Sequence, residues 1–174
     1  MNRKRALALG LIVALAAIGG TAAIAFAGKD QSDLAAAKQS TAQFRKVKAA
    51  MAAGYGELRD ARHIACIALA GSGGMGIHFV NGNLVKDAVV DPRRPEALVY
   101  WPSAHGLQLG ALEYIVFAKA WTKTTPPAMF GRTFDYTPAG NRFGLPAFWS
   151  LHAWVWTVNP TGTVMAWNPS VSCR

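Results

Sequence analysis

The chain has 174 residues, with 18 Lys or Arg against nine Asp or Glu, a net charge of +9, 52% hydrophobic residues and two cysteines. This length suits one ordinary domain with a sizeable core. The composition excludes a disordered chain, which would be less apolar, and a small disulfide-rich domain, which would contain more cysteines.

Residues 1–27 are predicted to be a signal peptide. Arg3-Lys4-Arg5 gives a basic start, no charge follows as far as Ala25-Phe26-Ala27, and Gly28 comes next. This is the pattern of a secretory signal with its cleavage site. A retained anchor is the alternative, because about 20 apolar residues span a bilayer. We expect cleavage, and therefore a secreted, periplasmic or cell-envelope protein with no membrane span.

The charge of the remaining chain is modest and scattered. Residues 28–174 contain 15 basic and nine acidic side chains, a net charge of +6, with no run of five like charges. This distribution argues against a nucleic-acid partner. It is typical of a solvated basic face, and contact with an anionic envelope surface is the alternative.

Cys66 and Cys173 are predicted to form a disulfide. An even number of cysteines in an oxidising compartment most often pairs, and this bond would tie the C-terminal segment to the start of the fold. Two free buried thiols are the alternative.

Residues 28–53 are predicted to form an amphipathic N-terminal helix. Ser32 is a suitable N-cap, and Gly54 is a suitable stop. Apolar or small side chains recur between them at spacings of three and four residues: Leu34, Ala37, Thr41, Phe44, Val47 and Met51. Because the opposite face is basic and polar, we expect this helix to lie on a sheet.

Residues 54–174 are predicted to form the β-rich body of the same domain. Gly, Pro and Asn residues divide this region into short segments. The predicted strands are residues 75–80, 97–101, 107–117 and 148–158, with 163–167 pairing back as a hairpin. The pattern indicates an α+β domain, in which the N-terminal amphipathic helix packs on a curved antiparallel sheet or a small barrel.

Three of these strands each carry one ionisable residue among apolar ones: His78, Glu113 and His152. Side chains alternate along a strand. The neighbours expected on the face of Glu113 are therefore apolar: Leu109, Ala111, Ile115 and Phe117. A carboxylate in such surroundings is costly without a cation, a hydrogen-bonding group or a metal.

His78, Glu113 and His152 are therefore candidate ligands of a divalent metal. Two histidines and a glutamate from neighbouring strands form a three-ligand site with open positions, as used for zinc, copper or iron. Two alternatives stay open. His78 and Glu113 form a buried pair that serves folding only, or they are a metal-free catalytic acid/base pair in a ligand cavity.

Aromatic residues near these positions are candidate ligand-binding groups. Trp154 and Trp156 are expected on the face of His152, where they would wall a pocket. Core packing is the alternative for tryptophans in such a strand. Tyr100 and Tyr114 are expected to be secondary groups that contact a ligand bound at the metal.

Several short motifs follow one another in the body of the chain. They are Met75-Gly76-Ile77-His78-Phe79-Val80-Asn81, Pro95-Glu96-Ala97-Leu98-Val99-Tyr100, Leu112-Glu113-Tyr114, Leu151-His152-Ala153-Trp154-Val155-Trp156 and Trp167-Asn168-Pro169-Ser170-Val171-Ser172-Cys173. In this combination, over about residues 54–173, the chain resembles a family of exported bacterial proteins without an established function.

The resemblance implies matching histidine, glutamate and cysteine positions: His78, Glu113, His152, Cys66 and Cys173. The family pattern has a further histidine before the last long strand, where this chain reads Gly140-Asn141-Arg142-Phe143-Gly144. The resemblance therefore implies three ligands here rather than four, and it names no reaction.

The function expected from the sequence is that of an exported single-domain protein with a His/Glu pocket that binds a divalent metal and a small molecule. The alternative is a non-catalytic envelope module that contacts an anionic polymer or a protein partner. Whether the protein is an enzyme stays open at this stage.

Overall fold

The computed structural model describes the backbone of residues 20–173 and the side chains from residue 28 onward. The predicted signal peptide, residues 1–27, lies outside the residues whose side chains are described. The described chain combines helices with an antiparallel sheet, as the α+β prediction states. None of its helices has the length and apolar character that crossing a membrane requires.

The helical segment is divided where one helix was predicted. Helix α1 spans Gly20–Thr41, a 3-10 turn spans Ala42–Arg45, and helix α2 spans Val47–Ala52. Lys46 separates the last two with an extended backbone (φ −100°, ψ 119°). At this break the Tyr100 hydroxyl donates a hydrogen bond to the carbonyl oxygen of Phe44. The Phe44 carbonyl therefore accepts a tertiary hydrogen bond, whereas in an uninterrupted helix it would accept one from a backbone N–H of the next turn.

A seven-stranded antiparallel sheet forms the centre of the molecule. Its strands are β1 (Gly56–Glu57), β2 (Cys66–Leu69), β3 (Gly73–Val80), β4 (Ala97–Ser103), β5 (Gly106–Phe117), β8 (Asp135–Thr137) and β9 (Phe148–Ala153). The order is β1-β3-β4-β5-β9-β8, and β2 also pairs with β3. The sheet is open, so the small-barrel alternative is wrong. Outside this sheet lie helix α3 (Gly82–Asp87) and the hairpin of β6 (Ala128–Met129) with β7 (Arg132–Thr133).

The last predicted strand is shorter than expected. Strand β9 ends at Ala153 rather than at residue 158, and residues 163–167 form no strand. The hairpin prediction is therefore wrong. Trp154 N–H donates to the carbonyl of Thr163, but the N–H groups of Trp156 and Thr157 both donate to the carbonyl of Gly110 on β5. The chain after β9 turns onto β5 instead of pairing with the segment that follows.

The two faces of the sheet bury different sets of residues. One face packs against α1, the 3-10 turn and α2 and holds the main core, which includes Leu98, Tyr100, Leu109, Leu112, Tyr114, Leu151 and Ala153. The opposite face is covered by α3, by the segments around Leu58 and Phe143, and by the C-terminal segment. This second face carries His78, Glu113 and His152, and we call it the site face.

A β-bulge in β5 determines which residues reach the site face. Val99 pairs with Ala111, whereas Tyr100 pairs with Leu109, so Gly110 is an extra residue. Leu109 therefore lies in the main core with Tyr100, and its predicted place beside Glu113 is wrong. A side chain at Gly110 would lie only 2.9 Å from the Trp101 ring, which explains why glycine occupies the bulge.

The C-terminal segment is fixed to the edge of the sheet at two points. Cys66 and Cys173 form a disulfide, with 5.6 Å between their Cα atoms, in agreement with the predicted pair. Gly74 and Asn168 exchange two backbone hydrogen bonds. Gly73 must be a glycine here, because a Cβ atom would lie 2.1 Å from the Asn168 carbonyl oxygen.

Removing the disulfide is expected to lower the free energy of unfolding substantially. The bond closes a loop with a sequence separation of 107 residues, for which the loss of chain entropy in the unfolded state is worth about 4–5 kcal/mol. Guanidinium unfolding of the wild type and of the double variant Cys66→Ser, Cys173→Ser measures the difference. Reductant should destabilise the wild type and leave the double variant unchanged. Equal stability of the two oxidised proteins would contradict the prediction.

Candidate metal site

Three strands bring His78, Glu113 and His152 to one place on the site face. Glu113 on β5 and His152 on β9 are direct cross-strand partners. His78 lies on β3, one strand further away, since β4 runs between β3 and β5. The β4 residue opposite Glu113 is Ala97, which is fully buried. His78 itself lies opposite Val99, so its imidazole reaches the Glu113 carboxylate diagonally across β4.

The polar atoms of the three side chains form a closed group. His78 Nε2 lies 3.2 Å from His152 Nε2 and 3.3 Å from Glu113 Oε2. His152 Nδ1 lies 3.5 Å from Glu113 Oε1. One potential ligand atom from each residue lies within 4.8 Å of the other two. The residues are thus placed to hold one metal ion, as the sequence predicted.

Burial controls the protonation of this group. The exposed fractions are 3% for His78, 6% for Glu113 and 3% for His152. Loss of water lowers the pKa of His78 and of His152 to about 4, so both imidazoles are neutral near pH 7. Burial also raises the pKa of Glu113, against the opposing effects of His78 and of a hydrogen bond from Ser150. Neutral imidazoles bind a metal without first releasing protons.

One atom of the group has no protein partner. His78 Nδ1 is buried, and within the described chain it forms no hydrogen bond. Leaving such a nitrogen unsatisfied costs roughly 1–3 kcal/mol. A water molecule beside the His78 ring would satisfy this nitrogen.

A cavity adjoins His78 and Glu113, and His152 does not line it. It offers about 80 Å³ to the centres of water molecules, which is several times the roughly 15 Å³ that one water needs. Its polar wall consists of His78, Glu113, Ser150 and Thr137, and the rest is apolar. A small molecule or several waters can therefore reach the candidate ligands.

Two loops close over the site face and are held together by an ion pair. Arg142, in the loop between β8 and β9, donates to the Asp60 carboxylate from Nη2 at 2.7 Å and from Nε at 3.3 Å. Asp60 also accepts hydrogen bonds from the backbone N–H groups of Arg62 and Ile64. The adjacent Phe143 ring packs edge-on against His78, with 6.4 Å between ring centroids. Phe143 thus covers the site, and residues 140–144 supply none of the candidate ligands.

The two predicted tyrosines lie on the other face of the sheet. Tyr100 and Tyr114 belong to the main core. Their hydroxyl groups donate to the carbonyl oxygens of Phe44 and Pro92. Neither residue lines the cavity, so the prediction that they contact a ligand there is wrong. Tyr100 follows Val99, the partner of His78, and Tyr114 follows Glu113, so alternation along β4 and β5 turns both tyrosines away from the site.

The two predicted tryptophans, Trp154 and Trp156, lie on different faces of the sheet. Trp154 stays on the site face, stacked on His152 with 6.4 Å between ring centroids, and its Nε1–H donates to the Met165 carbonyl. Trp156 lies on the main-core side, where its Nε1–H donates to the Thr41 hydroxyl at 3.1 Å. The prediction that Trp156 shares the face of His152 is wrong, because alternation stops where β9 ends.

Three residues of the site were not predicted from the sequence. Ser150 precedes His152 by two positions in β9, so strand alternation alone would have placed it on the same face. Ala97 became relevant only through the β4–β5 register. Phe143 comes from a loop, and no periodic pattern marks it.

Comparisons with protein-family models, with curated proteins and with solved structures find no match to this chain. The resemblance described above therefore stays a prediction, and the chemistry of the site is argued from its geometry.

Between about pH 6.5 and pH 4, His78 and His152 are expected to contribute an acid-induced loss of stability to the metal-free protein, against opposite contributions from Glu113 and from Glu96, whose pKa burial raises to about 8. Below about pH 6.5 a histidine binds a proton in the unfolded chain. In the folded protein, His78 and His152 stay neutral down to about pH 4. Protonation then favours unfolding, by up to about 1.4 kcal/mol per pH unit for each histidine. Glu113 opposes this trend, because its raised pKa keeps a proton on the folded protein that the unfolded chain releases above about pH 4.3.

Urea unfolding at a series of pH values measures this slope. His152→Gln should make the acid-induced loss of stability shallower, and Glu113→Gln should make it steeper because the opposing proton is gone. His105→Gln, at an exposed position in the β4–β5 turn, is the matched control and should follow the wild type. Equal slopes in the wild type and His152→Gln would contradict the buried, neutral state.

Proposed function

We propose that this protein binds a divalent transition-metal ion, zinc in the first place, through His78, Glu113 and His152, and that the ion binds a small molecule in the adjoining cavity. The observation that carries the proposal is the spacing of the three polar groups.

The separations are long for hydrogen bonds to an ionised carboxylate, and the one between His78 and Glu113 suits a shared ion. Imidazole nitrogen and carboxylate oxygen are separated by 3.3 Å for His78 and 3.5 Å for His152, whereas charge-assisted hydrogen bonds measure about 2.7–2.9 Å. Two ligands bound at about 2.0–2.1 Å in a tetrahedron lie about 3.3–3.4 Å apart. Octahedral ligands at the same bond length would lie about 2.9 Å apart. The His78–Glu113 separation matches the tetrahedral value, and one candidate ligand atom from each of the three residues lies within 4.8 Å of the other two.

A cation also compensates for the burial of Glu113. Both histidines are neutral near pH 7, so neither supplies a positive charge to the carboxylate. A divalent ion would be the dominant charge in the site and would favour the ionised carboxylate. The structural alternative, a buried pair without metal, leaves the carboxyl group protonated or uncompensated.

Three protein ligands leave one tetrahedral position for a non-protein ligand. This ligand number is typical of catalytic zinc sites, whereas structural sites use four protein ligands. An ion here would activate a water molecule or polarise a carbonyl oxygen that enters the cavity. Ser150 hydrogen-bonds to Glu113, and we assign it the positioning of that ligand. Copper and iron are the other ions that this donor set accepts.

We also propose that the protein is exported. A disulfide between Cys66 and Cys173 is favoured in an oxidising compartment, and the charge pattern of residues 1–27 supports the same location. Metal from the surrounding medium would be the source of the ion. A small molecule or an envelope component, rather than nucleic acid, is the proposed partner.

The wild type is expected to bind one zinc ion per chain. Titration calorimetry of protein prepared without chelator, together with elemental analysis, measures affinity and stoichiometry. Glu113→Gln and His78→Ala each remove a ligand and should weaken zinc binding by more than about 100-fold. His105→Ala, which changes an exposed histidine, is the control and should bind as the wild type does.

Zinc should also raise the melting temperature of the wild type, since a ligand that binds only the folded state stabilises it by about 4 kcal/mol at 1,000 times its Kd. Glu113→Gln should show no such shift. A wild type that stays empty after addition of zinc, copper or iron rejects the proposal. Undiminished zinc binding by a correctly folded Glu113→Gln would place the metal elsewhere.

A second candidate function is the binding of an anionic polymer through a basic surface on the helical side, formed by Lys38, Arg45, Lys46 and Lys48. Lys38 and Arg45 lie 5.2 and 5.6 Å from the centre of the Trp156 ring, which keeps these cations beside a flat apolar surface. Arg45 and Lys46 also line a polar hollow together with Gln43 and Gln108. This arrangement favours an anionic chain over a neutral one.

Polyphosphate is a suitable probe for this surface. The double variant Lys46→Gln, Lys48→Gln should weaken its binding several-fold, and salt should weaken binding to the wild type because exposed charges are screened. Lys119→Gln, Lys123→Gln makes the same change in net charge at two other exposed lysines and is the control. Equal losses in the two double variants would indicate non-specific attraction and reject a dedicated surface.

A further inference from the structure

A second cavity adjoins the one at the candidate metal site. It offers about 190 Å³ to water-molecule centres. Leu58, Ile115 and Leu145 line both cavities, so the two spaces meet at these side chains. The second cavity extends between β5 and α3, where Phe117 and Val85 form its walls.

The direction of this groove follows from the strand. Glu113, Ile115 and Phe117 alternate onto the same face of β5, and residues two apart in a strand are separated by about 6.8 Å. The groove therefore leads away from the Glu113 carboxylate over about 13 Å. A molecule with its head at the metal would place its tail along Ile115 and Phe117.

The walls of the groove between β5 and α3 are almost entirely apolar. The side chains that line the groove are aliphatic or aromatic, and the single exception is Lys86 on α3, which is exposed. A ligand inside the groove would find no hydrogen-bonding side chain there, because the polar groups lie at the other end, around His78 and Glu113. The ligand that fits has one polar end and an otherwise apolar body.

We propose that the small molecule bound at the metal is an aliphatic acyl compound, with its carbonyl oxygen on the ion and its alkyl chain in the groove between β5 and α3. This inference rests on the proposed function and adds the substrate class. The alkyl chain is stabilised by moving from water to a groove whose walls are made mainly of Val, Ile and Leu. Lys86 lies at the rim, where a long amphipathic side chain covers apolar surface while its ammonium stays in water.

Alkyl hydroxamates of increasing length test the inference, since their two oxygen atoms bind zinc and their chain varies independently. Calorimetry on the zinc-loaded protein should show affinity rising about threefold to fourfold with each methylene. The rise should stop when the chain fills about 13 Å of groove, which corresponds to about eight to ten carbons. An affinity that does not change between acetohydroxamate and octanohydroxamate overturns the inference.

The variant Gly82→Phe tests where the alkyl chain of the ligand lies. Gly82 lines the groove, a Cβ atom there would meet nothing within 4 Å, and the added ring would fill the outer end. The affinity should then stop rising at a shorter chain length, while zinc and acetohydroxamate bind as in the wild type. Asn83→Phe, on the same helix at an exposed position outside the groove, is the matched control. Val85→Leu adds one methylene to the wall and should also make the affinity stop rising at a shorter chain length.

The outcomes separate the two proposals. Zinc and acetohydroxamate binding without any dependence on chain length rejects the acyl ligand and leaves the metal site in place. Failure to bind zinc, copper or iron rejects both. A chain-length profile that is identical in the wild type, Gly82→Phe and Val85→Leu shows that the chain lies elsewhere and overturns the proposed groove.

Discussion

The burial of the Glu113 carboxyl group between two neutral imidazoles is the constraint on which the site face depends. Removing a carboxylate from water costs several kcal/mol unless a partner restores the lost solvation. The sheet supplies two imidazoles, His152 directly opposite and His78 from across β4. It also leaves space beside Glu113, since the β4 residue opposite is Ala97, while Val99 lies opposite His78. A larger β4 side chain would fill the space and separate His78 from the carboxyl group.

The bulge at Gly110 connects this site to the rest of the sheet. One extra residue in β5 changes which side chains share a face. It places Leu109 in the main core, while Ala111 and Glu113 point to the site face. The freed carbonyl of Gly110 then accepts two N–H groups from the chain after β9, and this turn moves Trp156 to the helical side. The bulge therefore keeps Leu109 away from the site and, through the turn after β9, Trp156 as well.

The limits of sequence reasoning follow from the same features. Alternation along β3, β5 and β9 was enough to select His78, Glu113 and His152, because each position lies in an uninterrupted stretch of strand. The expected α+β class and the cysteine pair likewise needed only local patterns. Leu109 was misplaced because of the bulge, and Trp156 because β9 ends at Ala153. The face of Tyr100 follows from the pairing of β4 with β3, in which Val99 lies opposite His78, and such pairing is a property of strand register. The break at Lys46 was also not predictable from helical periodicity, since it accompanies a hydrogen bond from Tyr100, a residue distant in sequence.

The division of the sheet into two faces separates stability from chemistry. The helical side buries Leu98, Tyr100, Leu112, Tyr114 and Leu151 almost completely, and such side chains contribute the largest hydrophobic stabilisation. The site face is instead closed by loops, which the Asp60–Arg142 ion pair holds over the histidines. The cavity beside His78 and Glu113 and the adjoining groove lie under these loops, on the face opposite the packing on the helical side. Ligand entry through the loops is therefore compatible with an intact core, as a buried metal site requires if it is to exchange a small molecule with solvent.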